Sequence, residues 1–408
     1  MHIRIVVATL AWSSAATAAP LTFDQALDWA RDTAPSLAGK TLGTDAARSA
    51  ARSAGALSDP KLEFGFIGFP VSGPNAGHPE RDDFSTVRVG IEQDVPNRAK
   101  RTARTGRAEA DIAASEAARL GEARTVRLGA ALAWVDLYFA ARKLTAIDAV
   151  RASVAPLIRT TPARLASGSA RPAQTTEPAQ ILAAFDDRRA ELVADAAKAR
   201  AGLTRWTGDT APDIAGPPPT AGIDALALRA RLDRLPEVRI ADAAAGQADA
   251  DARLARAEKR PDWSWQVGYD RRNPRFGDML GASVKVSLPL FAKNRQDPLI
   301  LARELDAQRA RLDAQATARE LAAALDGDLA DHAMHHERLE RARTILLPLA
   351  ERRAALETAS YSAGNASLAD ALLAKIAVAE ARLGLLTREA DAVRDAVRIN
   401  LTYGSDAR

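Results

Sequence analysis

The sequence predicts a mixed α and β fold, mostly long antiparallel α-helical hairpins that carry four β-strands per chain. Three observations predict it. The chain states one pattern twice, offset by roughly 190–200 residues, the length of a whole domain elsewhere. Each half contains two stretches of period-two alternation, and each follows them with a long Ala-rich, Pro-free run. The landmarks pair across the halves: Pro60 with Pro261, Lys100 with Arg295, Pro156 with Pro348, Gly168 with Gly364, and Gly208 with Gly404.

Residues 1–18 have the three parts of an export signal: Arg4, the apolar run Ile5–Trp12, and Ala16-Thr17-Ala18 as the cleavage site. The first repeat, 19–214, opens on Thr22 and Gln25, a capping-box pair in front of a short helix. Pro35 interrupts that helix, and a second is expected to run to about Leu57 before Ser58-Asp59-Pro60 stops it. A strand hairpin follows at 61–95, then a helical hairpin at 99–208. A Pro-rich linker, 215–222, leads to the second repeat, 223–408, with its strand hairpin at 262–291 and helical hairpin at 294–404.

In the strands, Leu62, Phe64 and Phe66 alternate with polar or small residues, as do Val87, Val89 and Ile91. Trp263, Trp265, Val267 and Tyr269 repeat the pattern, and so do Leu280, Ala282, Val284 and Val286. Such alternation describes a half-buried strand of a soluble sheet or a strand between lipid and water. The second reading fits the apolar face, where Phe64, Phe66, Trp263, Trp265 and Tyr269 are expected to face lipid. The opposite face carries Arg88, Glu92, Gln266, Asp270 and Lys285 and must meet water. Each strand is expected to be about 9–12 residues, long enough for a tilted crossing.

The run Ala99–Ala155 contains no Pro and would make a helix of roughly 85 Å. Its counterpart from Leu299 to Leu347 would reach roughly 70 Å. Each is expected to turn at a Gly among small residues, Ser167-Gly168-Ser169 and Ala363-Gly364-Asn365, and to return along Gln174–Trp206 and Leu368–Leu401. A soluble coiled-coil scaffold would also use helices this long.

Four strands cannot close a barrel, and open edges are not tolerated in lipid. Two copies would give eight strands with a side-chain-filled interior; three give twelve, with room for water. If the strands are transmembrane, the chain is a homotrimer with a 12-stranded barrel.

Composition excludes several alternatives. With no Cys there is no disulfide framework and no thiolate metal site. The net charge of +4 is spread among nearly as many acids, which describes solvated helix faces rather than a nucleic-acid surface. The run Arg98, Lys100, Arg101, Arg104 and Arg107 lies beside a strand end, where it can meet phospholipid headgroups. No P-loop, nucleophile elbow or carboxylate–His constellation is present, so no enzyme activity and no cofactor are expected. His332, His335 and His336 lie together on one helix. They are candidates for a transient metal contact, or simply a polar surface.

Several segments resemble the TolC-type outer-membrane factors, and most closely the outer-membrane component of heavy-metal efflux systems of the cobalt–zinc–cadmium type. They are Ser58-Asp59-Pro60-Lys61-Leu62, Val89 to Arg98, Lys259-Arg260-Pro261-Asp262-Trp263, Ser287 to Phe291, Tyr361 to Gly364 and Leu401-Thr402-Tyr403-Gly404. The resemblance covers essentially the whole mature chain. It implies a homotrimer in the outer membrane of a Gram-negative cell, with a periplasmic α-helical tunnel. Its implied partners are a periplasmic membrane-fusion adaptor and an inner-membrane proton-driven pump of the RND type. It places the hairpin tips, Ser167, Gly168, Ser169, Ala363, Gly364 and Asn365, against the adaptor. It also places Asp370 at an entrance constriction. Where the family often has a second acid, this chain has Leu373, and the first-half equivalent of Asp370 is Gln174. The resemblance therefore implies three carboxylates rather than a doubled ring. Read without it, Asp370 is a first-turn residue favoured by the helix dipole.

Overall fold

A computed structural model describes residues 20–159, 166, 176–220 and 222–404. The expected export signal and the tip residues Ser167, Gly168, Ser169 and Gln174 lie outside them. The helices are α1 (Phe23–Thr33), α2 (Pro35–Ala51), α3 (Arg98–Arg159), α4 (Glu177–Thr207), α5 (Pro236–Ala257), α6 (Gln296–Arg341), α7 (Leu347–Ser362) and α8 (Leu368–Tyr403). The strands are β1 (Lys61–Ile67), β2 (Thr86–Val95), β3 (Trp263–Arg271) and β4 (Met279–Val286). They form two compact units. A helical unit is drawn from the described residues up to Ala34, within Arg124–Ala227 and from Leu325 onward, and a sheet unit from Pro35–Ala123 and Leu228–Ala324. Each unit takes material from both sequence halves.

In the helical unit, the Thr22–Gln25 capping box starts α1 as expected. Leu21 bridges Ile214 in parallel, and the indole N–H of Trp134 donates to the Leu21 carbonyl at 3.0 Å. Trp134, Phe139, Val135 and Leu203 form the buried core around this tie, with Leu27 of α1 and Val397 of α8. A second core joins Ile147, Val154, Phe185, Leu192, Tyr361 and Leu372. Small residues set how closely the helices approach. A Cβ on Gly129 would lie 2.2 Å from the Trp206 ring. Gly129→Ala gains about 1 kcal/mol of helix propensity but overpacks by about 1–3 kcal/mol. We expect Gly129→Ala to lower the melting temperature of the wild type but not that of a Trp206→Ala background, where the clash is absent.

Pro156 sits inside α3, whereas its counterpart Pro348 follows a π-helical turn, Ala342–Leu346. A proline lacks its N–H and crowds the carbonyl four residues earlier, and a widened turn relieves both. Helix α4 ends at Gly208 and α7 leads into Gly364, with φ of 75° and 81°, the left-handed conformation glycine adopts without strain. No helix among the described residues is long and apolar enough to cross a membrane.

The sheet unit holds one antiparallel sheet in the order β1-β2-β3-β4. Its central pairing joins the two sequence halves, with Val89 opposite Tyr269 and Val95 opposite Trp263. The strands have 7, 10, 9 and 8 residues, so β1 and β4 are shorter than the sequence led us to expect. These are the edge strands, bonded on one side only. Glycine at φ 76° (Gly68) ends β1, and Pro289 follows soon after β4. Helix α2 also stops early, at Ala51, where turns over 52–55 replace the expected continuation to Leu57.

Candidate functional site

The register assigns every strand side chain to a face. One face carries Leu62, Phe64 and Phe66 of β1, Val87, Val89 and Ile91 of β2, Trp263, Trp265, Val267 and Tyr269 of β3, and Leu280, Ala282, Val284 and Val286 of β4. This face is uncovered: Phe64 is 77% exposed, Trp263 44%, Tyr269 46% and Leu280 77%. Isolated exposed apolar residues are ordinary, but a contiguous face across four strands marks an interaction with something apolar. All five aromatic residues singled out from the sequence lie on it.

The other face is held by charges. Arg88 grips Asp270 with two parallel hydrogen bonds, 2.7 and 2.8 Å. Lys285 of β4 reaches over β3 to Glu92 at 3.0 Å, Lys61 pairs with Asp94 at 2.6 Å, and Gln266 donates to Glu63. Gly90, Gly268 and Gly281 are aligned across β2, β3 and β4 in the middle of this face. A row without side chains lets a sheet curl toward that side.

Three of the recognisable sequence segments meet at Asp262, just ahead of β3. Its carboxylate accepts from the Asn97 backbone N–H at 2.7 Å, the Asn97 side-chain amide at 2.8 Å and the Lys100 ammonium at 2.9 Å. Its carbonyl accepts from the Ser287 N–H at 2.8 Å. The Asn97 amide also reaches the carbonyls of Ala257 and Arg260, and its Oδ1 accepts from the Lys100 N–H. Partial burial opposes the charge of Asp262, but the Asn97 and Lys100 donors outweigh it and hold the carboxyl below its ordinary value. The junctions β2–α3 and α5–β3, through the carboxylate, and the exit from β4, through the carbonyl, are thereby fixed to one residue. Sequence reasoning quoted Asp262 only within a motif. The available signal was an Asn positioned to cap one helix and an Asp placed directly after Pro261.

At the second hairpin tip, Ala363, Gly364 and Asn365 are exposed. Ser367 caps α8, donating its hydroxyl to Asp370 at 2.7 Å and its backbone N–H at 3.2 Å. The Ser367 hydroxyl and backbone N–H lower the Asp370 carboxyl from its usual value. Asp370 is thus a capping-box residue. Leu373, one turn on and 57% exposed, shares its outward face.

The three histidines separate. His335 Nδ1 lies 2.6 Å from buried Asp395, and Arg398 joins Asp395 to Asp328. His332 and His336 lie with ring centroids 6.4 Å apart, and Nδ1 of His332 is buried without a hydrogen-bond partner. Burial, and then the neighbouring histidines, lower the His332 pKa against the opposing pull of Asp395. Among the described residues no three His, Asp or Glu side chains come together as a metal site.

No protein-family model and no curated protein matches the chain in sequence. Solved structures do match it in shape. The Campylobacter jejuni CmeC outer membrane channel is 13% identical, with a TM-score of 0.78 over 99% of this chain and 94% of that one. The Vibrio cholerae outer membrane protein VceC is 18% identical, with a TM-score of 0.77 over 94% of this chain and 96% of that one. CusC, described for transmembrane channel formation, is 15% identical, with a TM-score of 0.79 over 94% of this chain and 92% of that one. The chain has the fold of these outer-membrane channels.

Proposed function

We propose that the chain is the outer-membrane duct of a tripartite efflux system. Three copies close their sheets into a twelve-stranded barrel, and their helical hairpins form a periplasmic tunnel. The observation that carries this reading is the four-stranded sheet, apolar and uncovered on one face and charged on the other, with both edges free. Lipid does not tolerate free edges, and antiparallel order lets β4 of one copy meet β1 of the next. A periplasmic adaptor and an inner-membrane pump are the partners that the channel fold and the resemblance support. The reaction class is passage rather than chemistry, with no cofactor.

Heavy-metal cations are the proposed cargo, on the strength of the resembling segments and one carboxylate per protomer at Asp370. Deleting the gene in a strain without redundant pumps should reduce tolerance to copper, silver, zinc or cadmium. Lost tolerance to drugs alone would assign the duct to organic toxins. Substituting Asp370→Ala should weaken cation selectivity in single-channel recordings, because three carboxylates leave the entrance. It should also loosen the first turn of α8, because the reciprocal Ser367–Asp370 bonds are lost. Identical currents across salt concentrations would remove Asp370 from the entrance.

A further inference from the structure

The basic run that opens α3 does not act as one patch. Lys100 is held by Asp262, Arg101 donates to the Gly55 carbonyl at 2.9 Å, and Arg107 is shared between Asp111 and Asp251. Arg98 is left over. It faces Arg253, Arg256 and Arg260 of α5 and its final turn across a cavity of about 760 Å³. Ala99, Ala103 and Gly106 line the α3 wall and leave it open. Arg256 is paired with Glu304. Among the described residues, Arg98, Arg253 and Arg260 have no acidic partner, and Glu109 is the single acid lining the cavity.

The charge points to an anion. Asp262 already answers the positive end of α3 through the Asn97 N–H and the Lys100 ammonium, so the excess charge is that of the arginines: four line the cavity against one acid, and three of them have no acidic partner among the described residues. The position then selects the kind of anion. Arg98 lies three residues after Val95, and Arg260 three residues before Trp263, and those two residues are paired on the apolar face. The cavity therefore adjoins the end of that face where Trp263 and Trp265 stand, the side-chain pattern of a membrane–water interface.

We propose that this cavity binds the phosphate of an anionic phospholipid headgroup at the rim of the barrel. The proposal rests on the membrane reading of the sheet. The Asn97–Asp262–Lys100 lock would hold the two arginine-bearing junctions in place for it.

The full-length protein should be reconstituted into phosphatidylcholine vesicles and, separately, tested in uncharged detergent by native mass spectrometry. The detergent arm uses phosphatidylglycerol, phosphatidylcholine and inorganic phosphate. The wild type should insert into the phosphatidylcholine vesicles and retain phosphatidylglycerol over phosphatidylcholine. The double variant Arg253→Gln/Arg260→Gln should still insert but bind phosphatidylglycerol roughly 30-fold more weakly. Arg253→Lys/Arg260→Lys should keep most of the binding. Equal retention by the wild type and the Gln variant overturns the proposal. So does inorganic phosphate binding as tightly as the lipid, which would make the site one for free anions. Failure of the wild type to insert into phosphatidylcholine overturns the membrane reading, and the lipid site with it.

Discussion

Val267→Arg should abolish membrane insertion while leaving the helices intact. Val267 stands in the middle of β3 between Ile91 and Ala282, 40% exposed on the apolar face. An arginine on the lipid face at the bilayer midplane costs about 2–4 kcal/mol. The proposed trimer would bear that cost three times. Gln266→Arg is the matching control, because period two puts it on the charged face beside Glu92 and Ser283. It should insert normally. Flotation with lipid vesicles reads both variants, and circular dichroism checks that helix content is unchanged. Equal flotation of the two variants would mean the faces are not distinguished by lipid.

Asp262→Ala should loosen the β2–α3 and α5–β3 junctions together while keeping the exit from β4, which the Asp262 backbone carbonyl holds through the Ser287 N–H. It removes the acceptor for two Asn97 donors and the Lys100 ammonium; the Asn97 side-chain amide keeps the Ala257 and Arg260 carbonyls, while the Asn97 N–H and the Lys100 ammonium lose their partner. Hydrogen bonds to a charged group contribute about 1.5–3 kcal/mol, so a loss of that order is expected in thermal unfolding of the sheet. Its pH dependence follows from the lowered carboxyl. A depressed folded pKa gives stability that is fully present above the unfolded value and is lost as pH falls through the folded one. The wild-type advantage over Asp262→Ala should therefore hold at neutral pH and shrink below about pH 4, near the ordinary aspartate value. An advantage unchanged at pH 3 would show that Asp262 acts through packing rather than charge.

Much of this molecule was legible because it is periodic. Alternation at Leu62–Phe66 and Trp263–Tyr269 located two strands and their faces, and the Ala-rich runs gave α3 and α6. Caps with local geometry, Thr22–Gln25 and Gly364, were legible for the same reason. What was not legible is made by residues far apart in the chain. Nothing periodic links Asn97 to Asp262, Arg98 to Arg260, or His335 to Asp395. The junction lock, the basic cavity and the His335–Asp395 hydrogen bond became visible only once the helices were placed. The edge strands came out short because strand length depends on a partner, and β1 and β4 each have one neighbour within the chain. Asp370 illustrates the opposite limit: its role as a cap is local and visible, whereas a role at an entrance depends on copies meeting there.

The most direct measurement of the central claim is the mass and conductance of the purified full-length protein in a planar lipid bilayer. A detergent-resistant assembly of three chains that opens ion-conducting channels is the predicted result. A monomer that stays in aqueous buffer without detergent and produces no conductance would contradict it.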